Sequence, residues 1–352
     1  MKKNTLTHGG DWAGFEAEYG KTPLDLSANV SPFGLPQSVN DAIIQSLDHA
    51  DRYPDPLCRA LRKAISEAKN VPAEMILCGN GAADLIFRLA LALRPQKALI
   101  TAPTFAEYKT ALLTVGCDVR SFYLREEDDF RLSEGILEQI HDDIDVVFLC
   151  EPNNPTGIAD KKELLLKVLK KVEDVDALLV VDECFHEFLS DPDTDSLIDT
   201  VETHPHLLIL KAFTKVYAMA GVRLGYCLCG NKELLQAMID CGQPWSVSSL
   251  ASAAGIAALK EEDYVLKVRQ NMNEVRPYLQ NALTELGFRV IPGEANYLLF
   301  YAFPGLDIKL REKAILIRSC ANYEGLGEGW FRTAVRTKEE SDQLLQALNE
   351  IL

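Results

Sequence analysis

The sequence predicts an α/β protein: a large domain on a mostly parallel sheet, joined to a smaller α+β domain. Three observations carry this. From about residue 56 to 240, continuous apolar runs alternate with amphipathic stretches. That is the pattern of strands buried on both faces and the helices that cover them. Beyond residue 246 the alternation gives way to one long helical period and then several strands. The chain also has 352 residues, more than one hydrophobic core usually serves.

The elements follow in order. Residues 1–45 have little periodicity and are expected to run over the surface and pack with the small domain. The large domain is expected over 46–245. "PLCRALRKAISEAKN" reads as a helix ending near Val71 and Pro72, "MILC" as a short strand, and "GNGAADLIFRLALAL" as a turn opening a helix. Strands "KALITA", "DVRSFYL", "IDVVFLCEP" and "ALLVVDE" alternate with helices "TFAEYKTALLTVG", "SEGILEQI" and "KKELLLKVLKKV". "HLLILKAF" and "VRLGYCLCG" are two further strands. In the small domain, 246–352, Val265, Val268, Met272, Val275, Leu279, Leu283 and Leu286 recur every three or four positions and mark one long helix. Strands "FRVI", "NYLLFYA", "AILIRS" and "FRTAVR" and a last helix, "KEESDQLLQALNEI", complete it.

Composition narrows the function. The chain is 47% hydrophobic and 25% charged, as ordinary globular proteins are, and its formal net charge is −16. Nucleic-acid binding, which wants a basic face, is disfavoured. An anionic substrate would need a local cluster of arginines against the global field. The nine cysteines are scattered, several in apolar runs, with no C-x-x-C pair. They read as buried reduced thiols rather than metal ligands, which predicts a cytoplasmic protein without a bound metal. "MKKNTLTHGG" lacks the apolar core of a signal peptide, and no apolar run approaches the ~20 residues of a membrane span.

Four polar groups fall at expected strand ends, where open α/β sheets bind ligands. In "LCGNGAADLI", Gly79 and Gly81 leave a strand and Ala82 and Ala83 begin a helix. The free N–H groups there form a phosphate cradle, unless the stretch is only a tight turn. Asp84 stands where a dinucleotide fingerprint needs its third glycine. In "EPNNPTG", Asn153, Asn154 and Pro155 form a turn. In "VVDECF", Asp182 ends an apolar strand, so its carboxylate needs a cation or a strong donor. In "LILKAFTKVYAMAGVRLGY", Lys215 stands where strand becomes loop, and Arg223 follows eight positions later. An amine at an apolar edge has its charged form disfavoured and becomes nucleophilic, whereas a surface lysine does not. Taken together these are the parts of a pyridoxal phosphate site. Lys215 takes the aldehyde as a Schiff base, and Asp182 keeps the pyridine nitrogen protonated. Asn154 donates to the ring oxygen, and Arg223 pairs with the phosphate.

With "NNPTG", "DE" and "TK…AGVRLGY" in this order, the chain resembles the pyridoxal-phosphate-dependent aminotransferase superfamily of the aspartate-aminotransferase fold, fold type I. The resemblance implies that Phe105 stacks on the cofactor ring and that Gly81 and Ala82 offer amides to its phosphate. Thr214 remains beside Lys215 at the phosphate, although Ala212 stands where relatives often have Ser or Thr. It also implies that Tyr53 of "RYPD" reaches the phosphate of a neighbouring subunit, hence a homodimer with shared active sites. Phe185 occupies a position where many relatives carry a tyrosine that touches the ring oxygen.

Two subgroups compete. "HGGD", "DLSANVSPFGLP", "RYPDP", "PWSV", "ANYLLF" and "ILIRSCANYEGL" resemble the threonine-phosphate decarboxylases of cobalamin synthesis more closely than the histidinol-phosphate aminotransferases. Asp11 departs from the pattern, where an amide is expected. The resemblance implies that His8, Asn29, Arg318 and Arg332 surround a small phosphorylated amino acid. Arg332 would hold the carboxylate and Arg318 a second anion. Arg336 would support either, or make a surface ion pair. The expected reaction is decarboxylation of L-threonine O-3-phosphate. Transamination is the enzyme alternative, and a binding or regulatory module that kept the fold is the alternative of another class.

Overall fold

The computed structural model describes residues 8–192 and 194–352. Its N-terminal part contributes α1 (Trp12–Tyr19), β1 (Leu24–Asp25) and α2 (Gln37–Ser46). The next stretch runs α3 (Arg59–Lys69), β2 (Ile76–Gly79), α4 (Ala82–Leu93), β3 (Lys97–Ala102), α5 (Ala106–Thr114), β4 (Asp118–Tyr123) and β5 (Val146–Cys150). It continues with α6 (Lys162–Asp174), β6 (Leu178–Asp182), β7 (Leu207–Ala212), β8 (Gly225–Cys229) and α7 (Lys232–Asp240). The C-terminal part holds α8 (Ser249–Ala258), α9 (Glu262–Glu285), β9 (Arg289–Val290), β10 (Tyr297–Tyr301) and α10 (Leu306–Glu312). The last elements are β11 (Ile315–Leu316), β12 (Arg318–Ser319), β13 (Trp330–Ala334) and α11 (Lys338–Ile351).

Seven strands form the large sheet in the order β2-β8-β7-β6-β5-β3-β4. All pair in parallel except β8, which runs antiparallel to both β2 and β7. Its central strands are largely apolar because both faces are covered, whereas the edge strand β4, with Asp118 and Arg120, is exposed or half-buried along its length. Val147, Leu149, Leu179, Val181, Leu207 and Ile209 enter one core, while Val146, Phe148, Leu178, Val180, Leu208 and Leu210 enter the other. Cys227 and Cys229 pack side by side in the second core, as their i, i+2 spacing on a strand requires.

A second sheet, β12-β13-β10-β9, is antiparallel and packs with α9, α10 and α11 in a separate core. Six of the seven periodic residues of the long helix are buried, and Leu286 caps it, partly buried against the same core.

Several expectations need correction. "SEGILEQI" forms a 3-10 helix, Glu134–Gln139, with only Ile136 buried. It is too short, and too glycine-interrupted, to nucleate an α-helix. "AILIRS" is not one strand. β11 pairs with β1 of the N-terminal segment and β12 pairs with β13, the chain changing sheets at Ile317. This change of sheets tethers residues 24–26, since Leu26 N–H donates to Leu316 at 2.8 Å and Leu26 O accepts from Ala334 at 2.7 Å. Helices α1, α2, α7, α8 and α10 were not expected. Asp11 caps α1, accepting from Gly14 N–H at 3.2 Å, which gives a carboxylate at that position a structural use.

Candidate active site

The carboxyl ends of β3, β5, β6 and β7 lead into Phe105, Asn154, Asp182 and Lys215. These side chains line a cavity of about 110 Å³ together with Phe185 and Arg223. It opens toward the small sheet into a cleft of about 610 Å³, which also receives His8, Asn29, Tyr323, Arg318 and Arg332.

Asp182 is only 5% exposed, so its carboxylate must be satisfied internally. The Tyr108 hydroxyl of α5 donates to one oxygen at 2.7 Å, and the Cys184 N–H donates to the other at 3.0 Å. Tyr108 is itself fixed by stacking on Phe148 of β5.

Lys215 is tied through its backbone, its carbonyl accepting from Ser31 and Ala218. Its Nζ lies 5.1 Å from the centre of the Phe185 ring and has no ion-pair partner among the described residues. Burial lowers its ammonium to about 8, with Arg332 and Arg223 pushing the same way against Cys184 and Asp182. Lys211, four positions earlier, is the contrast. Burial works against its charge too, but Glu183 at 2.7 Å and Glu187 at 3.9 Å raise it overall.

The turn before α4 is a close approach of backbones. Gly81, with φ +81°, carries no capping side chain for α4, so the first-turn N–H groups stay uncapped. A Cβ on Gly81 would lie 2.5 Å from Arg223 Nη2, and one on Gly225 would lie 2.6 Å from Ala82 N. Asp84 fixes the turn by accepting from Asn80 N–H at 2.9 Å while paired with buried Arg88. An uncapped helix N-terminus with a guanidinium over it suits a phosphate ester. A hydrogen-bonded buried carboxylate suits a protonated ring nitrogen, and a buried amine without an ion partner suits an aldehyde. The residues present therefore fit pyridoxal 5'-phosphate: Ala82, Thr214 and Arg223 would hold its phosphate, whereas the Gly81 N–H expected there is already donated to Gly79 O at 2.8 Å. Gly81→Ala should weaken cofactor binding about tenfold, because a Cβ 2.5 Å from Arg223 Nη2 would displace the guanidinium, and the backbone at φ +81°, ψ 166°, strained by about 1–3 kcal/mol for any residue but glycine, would shift the turn. A fluorescence titration of apoprotein with the cofactor reads this.

On the other side of the cavity, Arg332 of β13 is 6% exposed and has no carboxylate partner among the described residues. Its Nη2 donates to Ser27 O at 3.1 Å and its Nη1 donates to Asn154 Oδ1. Its guanidinium lies 5.3 Å from the Tyr297 ring centre. With its amide oxygen turned toward Arg332, Asn29 accepts from Nε and Nη1, each at 3.2 Å. Arg318 of β12 donates to Asn322 Oδ1 at 2.7 Å and faces the Tyr323 ring at 5.7 Å. His8 sits at the cleft mouth, paired with Glu107 at 2.7 Å and lying against Phe105.

The cavity and cleft thus bring together every expected site residue except two. Gly81 stands behind the cavity wall, against Arg223. Tyr53 lies outside, 79% exposed and stacked on Trp245. Arg336 reaches the cleft but pairs with Glu340 at 2.8 Å, an ion pair within its own helix start rather than a substrate contact. Tyr108, Glu107, Asn322 and Tyr323 were missed. The spacing of Phe105 and Tyr108 across one helical turn was the one available signal.

Fold and site together define a pyridoxal-phosphate-dependent enzyme of fold type I. The chain belongs to the aminotransferase class I and II family, whose model matches residues 21–348. It is 38% identical to a threonine-phosphate decarboxylase of Salmonella typhimurium over 98% of this chain and 96% of that one. Among solved structures it is similar to a histidinol-phosphate aminotransferase from Clostridium acetobutylicum, with TM-score 0.87 and 31% identity over 93% of this chain and 98% of that one. The fold is also that of a histidinol-phosphate aminotransferase from Sinorhizobium meliloti in complex with pyridoxal-5'-phosphate, with TM-score 0.86 and 22% identity over 99% and 96% of the two chains.

Proposed function

We propose that the enzyme decarboxylates L-threonine O-3-phosphate to (R)-1-aminopropan-2-yl phosphate. The observation that carries this is the pair of buried arginines, Arg318 and Arg332, on neighbouring strands of one sheet and facing one cleft with Lys215. The Salmonella decarboxylase supports the same reading across nearly the whole chain.

In this reading Arg332, steadied by Asn29 and Ser27, binds the substrate carboxylate, and Arg318 binds the phosphate. His8 stands at the mouth as a further donor. Held in this cavity and joined to the substrate amine in place of Lys215, the pyridoxal ring would supply a sink for the electron pair left at Cα. Arg318 holds the substrate's far end, so binding energy remote from Cα sets which Cα bond stands perpendicular to the ring. Lys215 Nζ, its charge already disfavoured by burial, returns a proton to Cα. Phe105 and Phe185 wall the cavity against water.

Incubation with threonine phosphate tests the reaction. The expected result is CO2 and aminopropanol phosphate in equal amounts without any oxo acid. Strict dependence on 2-oxoglutarate would reject decarboxylation and favour transamination, as in the Clostridium neighbour.

We also propose a cytoplasmic homodimer with shared active sites, formed by two domains, 46–245 and 246–352; of the N-terminal segment, Leu26 packs in the core of the second domain while Val39 enters that of the first. Tyr53 and Trp245 form an exposed stacked pair, suited to burial by a second copy. The free thiols support a reducing compartment, and no helix among the described residues is long and apolar enough to cross a membrane. Light scattering at twice the chain mass is expected, and a monomer at micromolar concentration would overturn the dimer.

A further inference from the structure

Asn154 is the residue placed to donate to the cofactor ring, and its amide must face the right way to do so. Its Oδ1 accepts from Arg332 and from the Tyr323 hydroxyl, the latter at 3.4 Å. No partner for its Nδ2 exists among the described residues, and the residue lines the cavity. On the far wall Phe185 brings an apolar ring and no donor.

Tyr323 also touches the other end of the site. Its ring lies 5.7 Å from the Arg318 guanidinium, and its neighbour Asn322 accepts from Arg318 Nη2. The segment that carries it is anchored independently. Glu324 accepts from Lys109 of α5 at 2.6 Å and from Tyr123 of β4 at 2.8 Å. Gly325, at φ +86°, lies so near the end of β3 that a Cβ would come within 3.3 Å of Ala102. Tyr323 N–H donates to Cys320 at 3.0 Å, and Leu326 N–H donates to Tyr323 at 3.1 Å. A loop that leaves the small sheet is therefore pinned to the large one, with Tyr323 pointing into the seam. Burial raises its phenol above the ordinary range, so it remains a donor.

We propose that Tyr323 is a positioning residue that sets both ends of the site, its hydroxyl orienting Asn154 and its ring seating Arg318. The first half needs only the cofactor. The second rests on the reading of Arg318 as the phosphate-binding arginine. A long contact of 3.4 Å suits this role, since site hydrogen bonds commonly shorten once ligand is bound.

The test uses holoprotein and two variants. Tyr323→Phe keeps the ring and removes the hydroxyl; Tyr323→Leu removes both. The first readout is the pH titration of the bound cofactor's visible absorbance. Loosening Asn154 weakens donation to the ring oxygen, so the midpoint should move up by about half a pH unit or more in both variants. On an Asn154→Ala background, Tyr323→Phe should add nothing further. The second readout is calorimetric binding of inorganic phosphate. It should stay within about twofold of the parent in Tyr323→Phe and weaken about fivefold in Tyr323→Leu, the size of a lost cation–π contact. An unmoved midpoint in Tyr323→Phe, or an equal shift on the Asn154→Ala background, overturns the hydroxyl's role. Unchanged phosphate affinity in Tyr323→Leu overturns the ring's role. Neither readout depends on turnover, so inertness toward threonine phosphate would reject the substrate assignment and leave the orientation of Asn154 standing or falling by itself.

Discussion

Lys215→Ala protein is expected to bind pyridoxal phosphate without forming the visible chromophore and to lose turnover by about 10³-fold or more. In the proposed reading one amine is both covalent anchor and proton carrier, and a positioned acid–base group alone is worth ~10²–10⁴-fold. Borohydride treatment of the parent holoprotein should fix the coenzyme on the peptide containing Lys215. Lys211 is the internal control, being a lysine on the strand that leads to Lys215 but held as a cation by Glu183 and Glu187. Burial without such a partner leaves Lys215 near 8. Its neutral fraction therefore grows as pH rises, and capture of pyridoxal phosphate by apoprotein should speed up through about pH 8 and level off above it. An ordinary lysine would keep accelerating toward 10.5. Coenzyme fixed on Lys211 or elsewhere would remove the basis of the whole site.

The two lysines show what the sequence can and cannot convey. Lys215, Asp182, Asn154 and Arg223 were legible because each is fixed by its own strand end, and strand ends can be read from apolar runs and turn residues. The partners that make them work were not. Tyr108 reaches Asp182 across 74 positions, Tyr323 reaches Asn154 across 169, and Glu107 meets His8 across 99. Such contacts arise only when separate elements pack, and periodicity within one element says nothing of them. The same limit explains the helices that escaped notice. Helix α8, "SLASAAGIAA", is apolar nearly all round and lies against α2, so it shows no polar–apolar stripe. "AILIRS" carried the period of one strand because both of its halves are strand. Only pairing partners reveal that they belong to different sheets, and that break is what delivers Arg318 to the cleft.

Asp182→Asn carries the second large effect, and the surroundings allow a sharp expectation. The carboxylate oxygens accept from Tyr108 and from the Cys184 N–H. An asparagine can keep its oxygen toward Cys184 and present its Nδ2 to the Tyr108 hydroxyl, which can turn to accept. The fold should survive, with the melting temperature within a few degrees of the parent. What disappears is the negative charge that would face the ring nitrogen in the proposed reading, in a site where Asp182 is only 5% exposed. A loss of about 10²–10³-fold in kcat/KM is expected, equivalent to roughly 3–4 kcal/mol. Asp182→Ala should cost the same in rate and also destabilise the protein, because it leaves the buried Tyr108 hydroxyl without its acceptor, at about 1–3 kcal/mol. Tyr108→Phe separates the two contributions. It removes the donor and keeps the charge, so it should slow turnover only about tenfold while the chromophore persists. Near-parental turnover in Asp182→Asn would show that this carboxylate serves the fold alone, and the ring nitrogen would then need a different partner.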